Sequence, residues 1–187
     1  MEPYVQVVLD TEFTSLTQHA QLLSLALVAE TGAVFYAEFN DFDKKEISDW
    51  VNTHVINHFL MQEMDIHFSV VDKRTQVKGN KEYIVAHLRK WLTQFGNIRM
   101  WADVPHYDWV LFCELFGGSM KLPNNLHFMC MDIATLLHTQ GLDHTAERIS
   151  LVNNEEMPAN YKTHNALSDA ELGMILLNKY SHGKRTI

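Results

Sequence analysis

One stretch constrains this chain more than any other: Val5-Gln6-Val7-Val8-Leu9-Asp10-Thr11-Glu12-Phe13-Thr14, an apolar, β-branched run that ends abruptly in two carboxylates. Its composition predicts a strand, and residues two apart on a strand share a face, so Asp10 and Glu12 project together about 6–7 Å apart. Acids at the end of a buried strand are costly unless paired or bound to a cation, which makes these two candidates for a divalent-metal site. The same spacing recurs at Asp41/Asp43 and Glu63/Asp65, but neither of those pairs closes a hydrophobic strand.

The 187 residues are 47% hydrophobic, enough for a single globular domain over 1–187 with a substantial core. A net charge of -8 argues against a protein that coats DNA through a basic surface. It leaves nucleic-acid enzymes open, because divalent ions in an acidic site reverse the local charge. The bases Lys73, Arg74, Lys78, Lys81, Arg89 and Lys90 read as a solvated loop and helix face. No run reaches the roughly 18–20 apolar residues of a membrane span, and Met1-Glu2-Pro3 lacks the basic and apolar parts of a leader, so a cytoplasmic protein is expected. The two cysteines, Cys113 and Cys130, lie in apolar surroundings and read as core residues rather than a disulfide or nucleophiles.

After the first strand, 21–28 and 33–39 flank the turn-prone Glu30-Thr31-Gly32 and predict a hairpin. From 41 to 68 the pattern is helical but irregular, with Trp50, Val51, Val55, Ile56, Phe59 and Leu60 expected inward; the polar 72–80 stretch reads as a loop. Ile84, Leu88, Trp91, Leu92 and Phe95 recur at helical spacing before Gly96. Strand 98–102, helix 107–116, strand 126–131 and helix 133–138 then alternate, with Asp132 as the N-cap of the last of these, and a final helix spans 165–180. A meander followed by alternation predicts an α/β domain whose mixed sheet is flanked by helices.

In the final helix, Leu172, Gly173, Leu176, Leu177 and Tyr180 form one apolar stripe, and Asp169 heads it. His164, five residues earlier, is placed to lean over the same site. His-x4-Asp also occurs at His67/Asp72, His127/Asp132 and His138/Asp143, but only His164/Asp169 leads into a long amphipathic helix with its acid on the apolar face. Asp108 heads another apolar stripe, with Leu111, Phe112 and Leu115, where it either stabilises the helix N-terminus or joins the other acids; Asp103 is a weaker rival.

Taken in order, Asp10 and Glu12, then Asp108, then His164 and Asp169 resemble the three motifs of the DEDDh class of 3'-to-5' exonucleases, the superfamily of polymerase proofreading subunits, ribonuclease T and oligoribonuclease. Asp-Thr-Glu-Phe at the start, Trp-Ala before the middle acid, Met131-Asp132-Ile133 and His-Asn-Ala-Leu-Ser-Asp near the end are most similar to the small bacterial exoribonucleases related to the mycobacterial enzyme. The similarity spans nearly the whole chain. A sister class carries Tyr four residues before the last acid, where Asn165 stands here, and Pro105-His106-Tyr107 replaces an Asn-containing stretch often found before the middle acid.

The resemblance implies a ribonuclease H-like fold in which Asp10, Glu12, Asp108 and Asp169 are metal ligands. Such a set of carboxylates can hold two Mg2+ or Mn2+ ions about 3.5–4 Å apart, one activating water and the other stabilising the leaving 3' oxygen. An imidazole, with an ordinary pKa of ~6.5, suits His164 to the role of general base at neutral pH. The resemblance further implies that Thr11 and Phe13 contact the terminal nucleotide. It implies release of nucleoside 5'-monophosphates from single-stranded nucleic acid, with RNA favoured over DNA, and relatives suggest a homodimer. A DNA exonuclease for repair or end trimming, and a non-catalytic adaptor that kept the fold, stay open beside it.

Overall fold

The computed structural model describes residues 4–181; the Met1-Glu2-Pro3 reading and the last residues of the 1–187 domain span lie outside them. The chain opens with the antiparallel meander β1 (Val5–Phe13), β2 (Leu22–Ala29) and β3 (Val34–Phe39), whose second turn uses Gly32 at φ +81°. A short helix α1 (Asp49–His54) follows, then β4 (His67–Val71), β5 (Arg74–Gly79) and α2 (Lys81–Leu92). Next come β6 (Ile98–Ala102), α3 (His106–Leu115), β7 (Met131–Asp132), α4 (Ile133–Thr139) and α5 (Ala166–Ser181). The strands form one mixed sheet in the order β4-β5-β3-β2-β1-β6-β7, with β6 parallel to β1. Helices flank the sheet, giving the ribonuclease H-like α/β architecture. Among the described residues no helix is long and apolar enough to cross a membrane.

Strand alternation places the site. Val7 and Leu9 of β1 point into a core shared with Ile84 and Leu88 of α2 and Phe112 of α3, whereas Val8 packs with Ile133 of α4 and Leu172 and Leu176 of α5. Asp10 and Glu12 continue the Val8 face, toward α5. Thr11 continues the Leu9 face, toward α3. Because β1 and β6 run parallel, both deliver their C-terminal ends to the same edge, where open α/β sheets gather their ligand-binding groups.

The approach of α5 to β1 depends on Gly173. A Cβ at this position would lie 2.9 Å from Val8 Cγ1 and 3.3 Å from Ile133 Cδ1. Gly173→Ala is therefore expected to destabilise the fold by about 1–3 kcal/mol in denaturant titrations, as overpacking does, and to displace Asp169 one turn away. A stability equal to the parent's would show that the helix does not sit this close.

Three local expectations are corrected. The polar 72–80 stretch is not a loop: 74–79 is β5, an interior strand between β4 and β3. Its polarity misleads because the charge of buried Lys78 is met by Glu38 on the neighbouring β3, a tertiary pairing invisible to local pattern. Strand 126–131 shrinks to a bridge at Leu126 and the two-residue β7, with Phe128 and Met129 exposed between them. Trp50 and Leu60, expected inward, are 52% and 48% exposed, since the short α1 buries only Val51. Asp132 caps α4 as expected, accepting from the N–H groups of Ala134 and Thr135.

Candidate active site

Asp10 and Glu12 at the end of β1 and Asp169 in the first turn of α5 each offer a carboxylate oxygen within 4.8 Å of the others. Asp10 and Asp169 line a cleft of about 410 Å3 whose walls also include Asp103, Arg148, Tyr161 and His164. Burial, and then the negative charges of Asp108, Asp169, Glu12 and Asp103, hold the Asp10 carboxyl far above the usual carboxylate range. Burial, and then the charges of Asp169 and Asp108, push Glu12 up to about 8. Asp169 is also raised by burial, although hydrogen bonds oppose the shift. Carboxylates so crowded, without a cation among them, have the chemistry of a divalent-metal site.

Asp108 stands behind this trio. Its Oδ1 accepts from the Thr11 backbone N–H at 2.9 Å and from the Thr11 hydroxyl at 2.7 Å, bonds that oppose the upward shift burial imposes. The predicted acid therefore reaches the same strand end, but from the opposite face of β1. Thr11 is buried, and its hydroxyl engages Asp108 rather than the cleft. Phe13 is half-buried and packs against Tyr107 at 5.7 Å between ring centroids. Asp103 lines the same cleft and is engaged in a bidentate ion pair with Arg148, at 2.7 and 2.9 Å.

His164 lies at the cleft wall in a left-handed conformation, φ +60°, which for a non-glycine residue costs about 1–3 kcal/mol and persists only where surroundings enforce it. Those surroundings are visible. Its backbone N–H donates to Asp169 Oδ2 at 2.9 Å, and its ring meets Trp50 edge-on at 5.0 Å. Next to it, the Asn165 side chain caps α5 by accepting from the Ser168 N–H and donates to the His58 carbonyl, while His58 Nδ1 bonds the Thr163 carbonyl. The 55–62 segment is anchored in turn: Glu38 Oε1 accepts from the N–H groups of Leu60 and Met61, and Lys78 Nζ donates to the Met61 carbonyl. The buried Glu38–Lys78 pair thus fastens the segment that holds the histidine.

Local pattern missed three residues here: Trp50, Arg148 and Tyr161. The Tyr161 hydroxyl donates to Asp169 Oδ1 at 2.6 Å, so both Asp169 oxygens receive a donor, one from Tyr161 and one from the His164 backbone. Nothing in the aperiodic 140–163 stretch signals this. The Ala-Asn-Tyr-Lys sequence around Tyr161 resembles any loop, and its partner is chosen by the fold.

A family model for the 3'-5' exoribonuclease Rv2179c-like domain matches residues 5–179. The chain belongs to this family. Two curated relatives, the 3'-5' exoribonucleases MT2234.1 and Rv2179c from two strains of Mycobacterium tuberculosis, are each 28% identical over 134 residues, covering 71% of this chain and 73% of theirs. The RNase domain of the yeast Pop2 protein shares the fold, with a TM-score of 0.59 at 12% identity over 97% of this chain and 79% of that one. For an Rv2179c-like domain the Tyr161 contact has a measurable consequence. Tyr161→Phe removes a donor that orients Asp169 and favours its charged form, and is expected to weaken Mn2+ binding about 10–100-fold by titration calorimetry. Unchanged affinity would reduce Tyr161 to packing.

Proposed function

We propose that this chain is a metal-dependent 3'-to-5' exoribonuclease that removes nucleoside 5'-monophosphates from single-stranded RNA. The observation that carries this reading is the convergence of Asp10, Glu12 and Asp169 within 4.8 Å, beside a cleft that Asp10, Asp169 and His164 line, in a chain of this family. The donor set fits hard divalent cations: all oxygen, crowded, and with carboxyl pKa values raised by burial and by one another's charge. Asp10, Glu12 and Asp169 would hold them, with Asp108 completing the set from behind. Such ions, Mg2+ or Mn2+ and two by analogy with the class, supply charge for the phosphodiester oxygens and a water of lowered pKa.

The chain's own residues do the rest. His164 accepts the proton of the attacking water at a ring nitrogen, and its strained backbone, edge contact with Trp50 and tether to Asp169 hold the ring at the cleft wall. Tyr161 and the His164 N–H fix Asp169. Thr11 fixes Asp108. Trp50, largely exposed beside the histidine, offers a face on which a terminal base can stack, and Phe13 with Tyr107 offers a second. The crowding of like charges speaks against a non-catalytic adaptor, because a binding module gains nothing from acids that repel one another and repel phosphate.

The test uses 5'-labelled single-stranded RNA and DNA with Mg2+, Mn2+ or EDTA. RNA shortened stepwise from its 3' end, only with metal, is expected. Internal cuts would sink the exonuclease reading, and preference for DNA would move the enzyme to repair or end trimming.

A further inference from the structure

The cleft presents a problem for a polyanionic strand. Its walls carry Asp10, Asp103, Glu147 and Asp169, and among the described residues lining it Arg148 is the one Arg or Lys. We propose that Arg148 is a phosphodiester-binding residue for which the Asp103 carboxylate acts as a resident placeholder. This rests on the nuclease reading and extends it to a subsite outside the carboxylate set.

The guanidinium is built for such a task. Nη1 donates to the carbonyls of His144 and Ala146, at 3.0 and 2.7 Å, which locks one edge of the plane to its own loop. The other edge, Nε and Nη2, makes the two parallel bonds to Asp103, a geometry that a phosphate matches equally well. Four of the five guanidinium N–H groups are thus engaged, leaving one on Nη2 for an incoming oxygen. The side chain is 16% exposed, enough to be touched and too little to wander. Asp103 directly follows β6 and lies near enough to Asp10 to act on its charge. A phosphate held by Arg148 is therefore a neighbour of the metal-binding acids.

The rival explanation is that Arg148 merely neutralises Asp103 and bolts the 140–163 segment to the sheet. A double-variant cycle separates the two. Binding of a fluorescein-labelled, phosphorothioate-linked single-stranded RNA, which resists cutting, is followed by anisotropy over a range of KCl concentrations with Mg2+ present, and the melting temperature of each variant is recorded. Arg148→Gln is expected to weaken binding about tenfold and to flatten the log–log salt dependence by roughly 0.7, the share of one phosphate contact on a single strand. The decisive comparison is made with Asp103→Asn already in place, where removing Arg148 leaves no carboxylate without its partner and the recorded melting temperatures show whether the variants stay folded. There, adding Arg148→Gln should still weaken binding and flatten the salt dependence to the same extent. No further change in that background would overturn the proposal, since Arg148 would then matter only through Asp103. A wild-type protein that binds the strand but never cuts unmodified RNA would sink the nuclease reading alone, whereas RNA cutting and strand binding that are indifferent to Arg148 would sink this proposal alone.

Discussion

His164→Ala is expected to lower kcat on single-stranded RNA by about 10^2- to 10^4-fold, the usual worth of a positioned general base, while Mn2+ affinity stays close to that of the parent. The split between the two readouts follows from the geometry. The bond from this residue to Asp169 runs through its backbone N–H, which alanine retains, so the carboxylate keeps that donor. The imidazole itself contacts Trp50 and the cleft. Collapse of metal affinity along with turnover would make the ring a ligand, and the assignment of the base would be wrong. His164→Gly should resemble alanine in kcat and relieve the left-handed backbone at φ +60°.

The second large effect concerns the acids without metal. Asp10, Glu12, Asp108 and Asp169 all have carboxyl pKa values above their ordinary ones, Glu12 at about 8. A group raised on folding binds its proton more tightly in the native state, so its stabilisation is complete below the unfolded pKa and is lost as pH rises through the folded one. The metal-free protein is thus expected to lose stability progressively as pH rises above the ordinary carboxylate range, with the loss from Glu12 complete only above about pH 8, at about 1.4 kcal/mol for each unit by which a pKa is raised. Saturating Mg2+ or Mn2+ should flatten that slope and raise the melting temperature, by ~2.7 kcal/mol of stability at a hundredfold excess over the dissociation constant. Asp10→Asn should stabilise the apo protein at pH 8 and abolish most of the metal-induced rise. Asp132→Ala, which removes the cap of α4 and no member of the acid set, should instead lower stability by about 0.5–2 kcal/mol with and without metal and keep the response. If calorimetry finds the two variants alike, the carboxylates do not act as one site.

The two networks that frame the cleft divide the molecule's tasks. On one side, the sheet holds the acids: β1 presents Asp10 and Glu12 on one face and clamps Asp108 through Thr11 on the other. On the other side, two irregular segments carry the residues that act on them. The 55–62 segment, anchored by Glu38 and Lys78, braces His164, and the 140–163 segment brings Tyr161 to Asp169 and Arg148 to Asp103. Changes in the loops therefore act through the bonds these segments make to the acids, above all that of Tyr161 to Asp169.

By itself the sequence determined the parts whose physics is local. β1 is legible because a Val-rich run buries both faces and then stops at acids; α2 and α5 because their apolar residues recur at helical spacing; the α4 cap because Asp132 precedes a helix directly. His164 and Asp169 could be singled out because the helix they enter presents Asp169 on its apolar face. Only the tertiary structure decided the rest. β5 reads as polar until Glu38 arrives from another strand to pair with Lys78. Asp108 could equally have been a helix-end charge until Thr11, brought by β1, took its oxygen. Tyr161 and Arg148 lie in a stretch with no periodicity, and they acquire meaning from Asp169 and Asp103, carboxylates that the sheet edge and α5 place across the cleft. Periodicity reports which face a residue occupies relative to its own element; the identity of the group it meets there depends on which elements the core packs together.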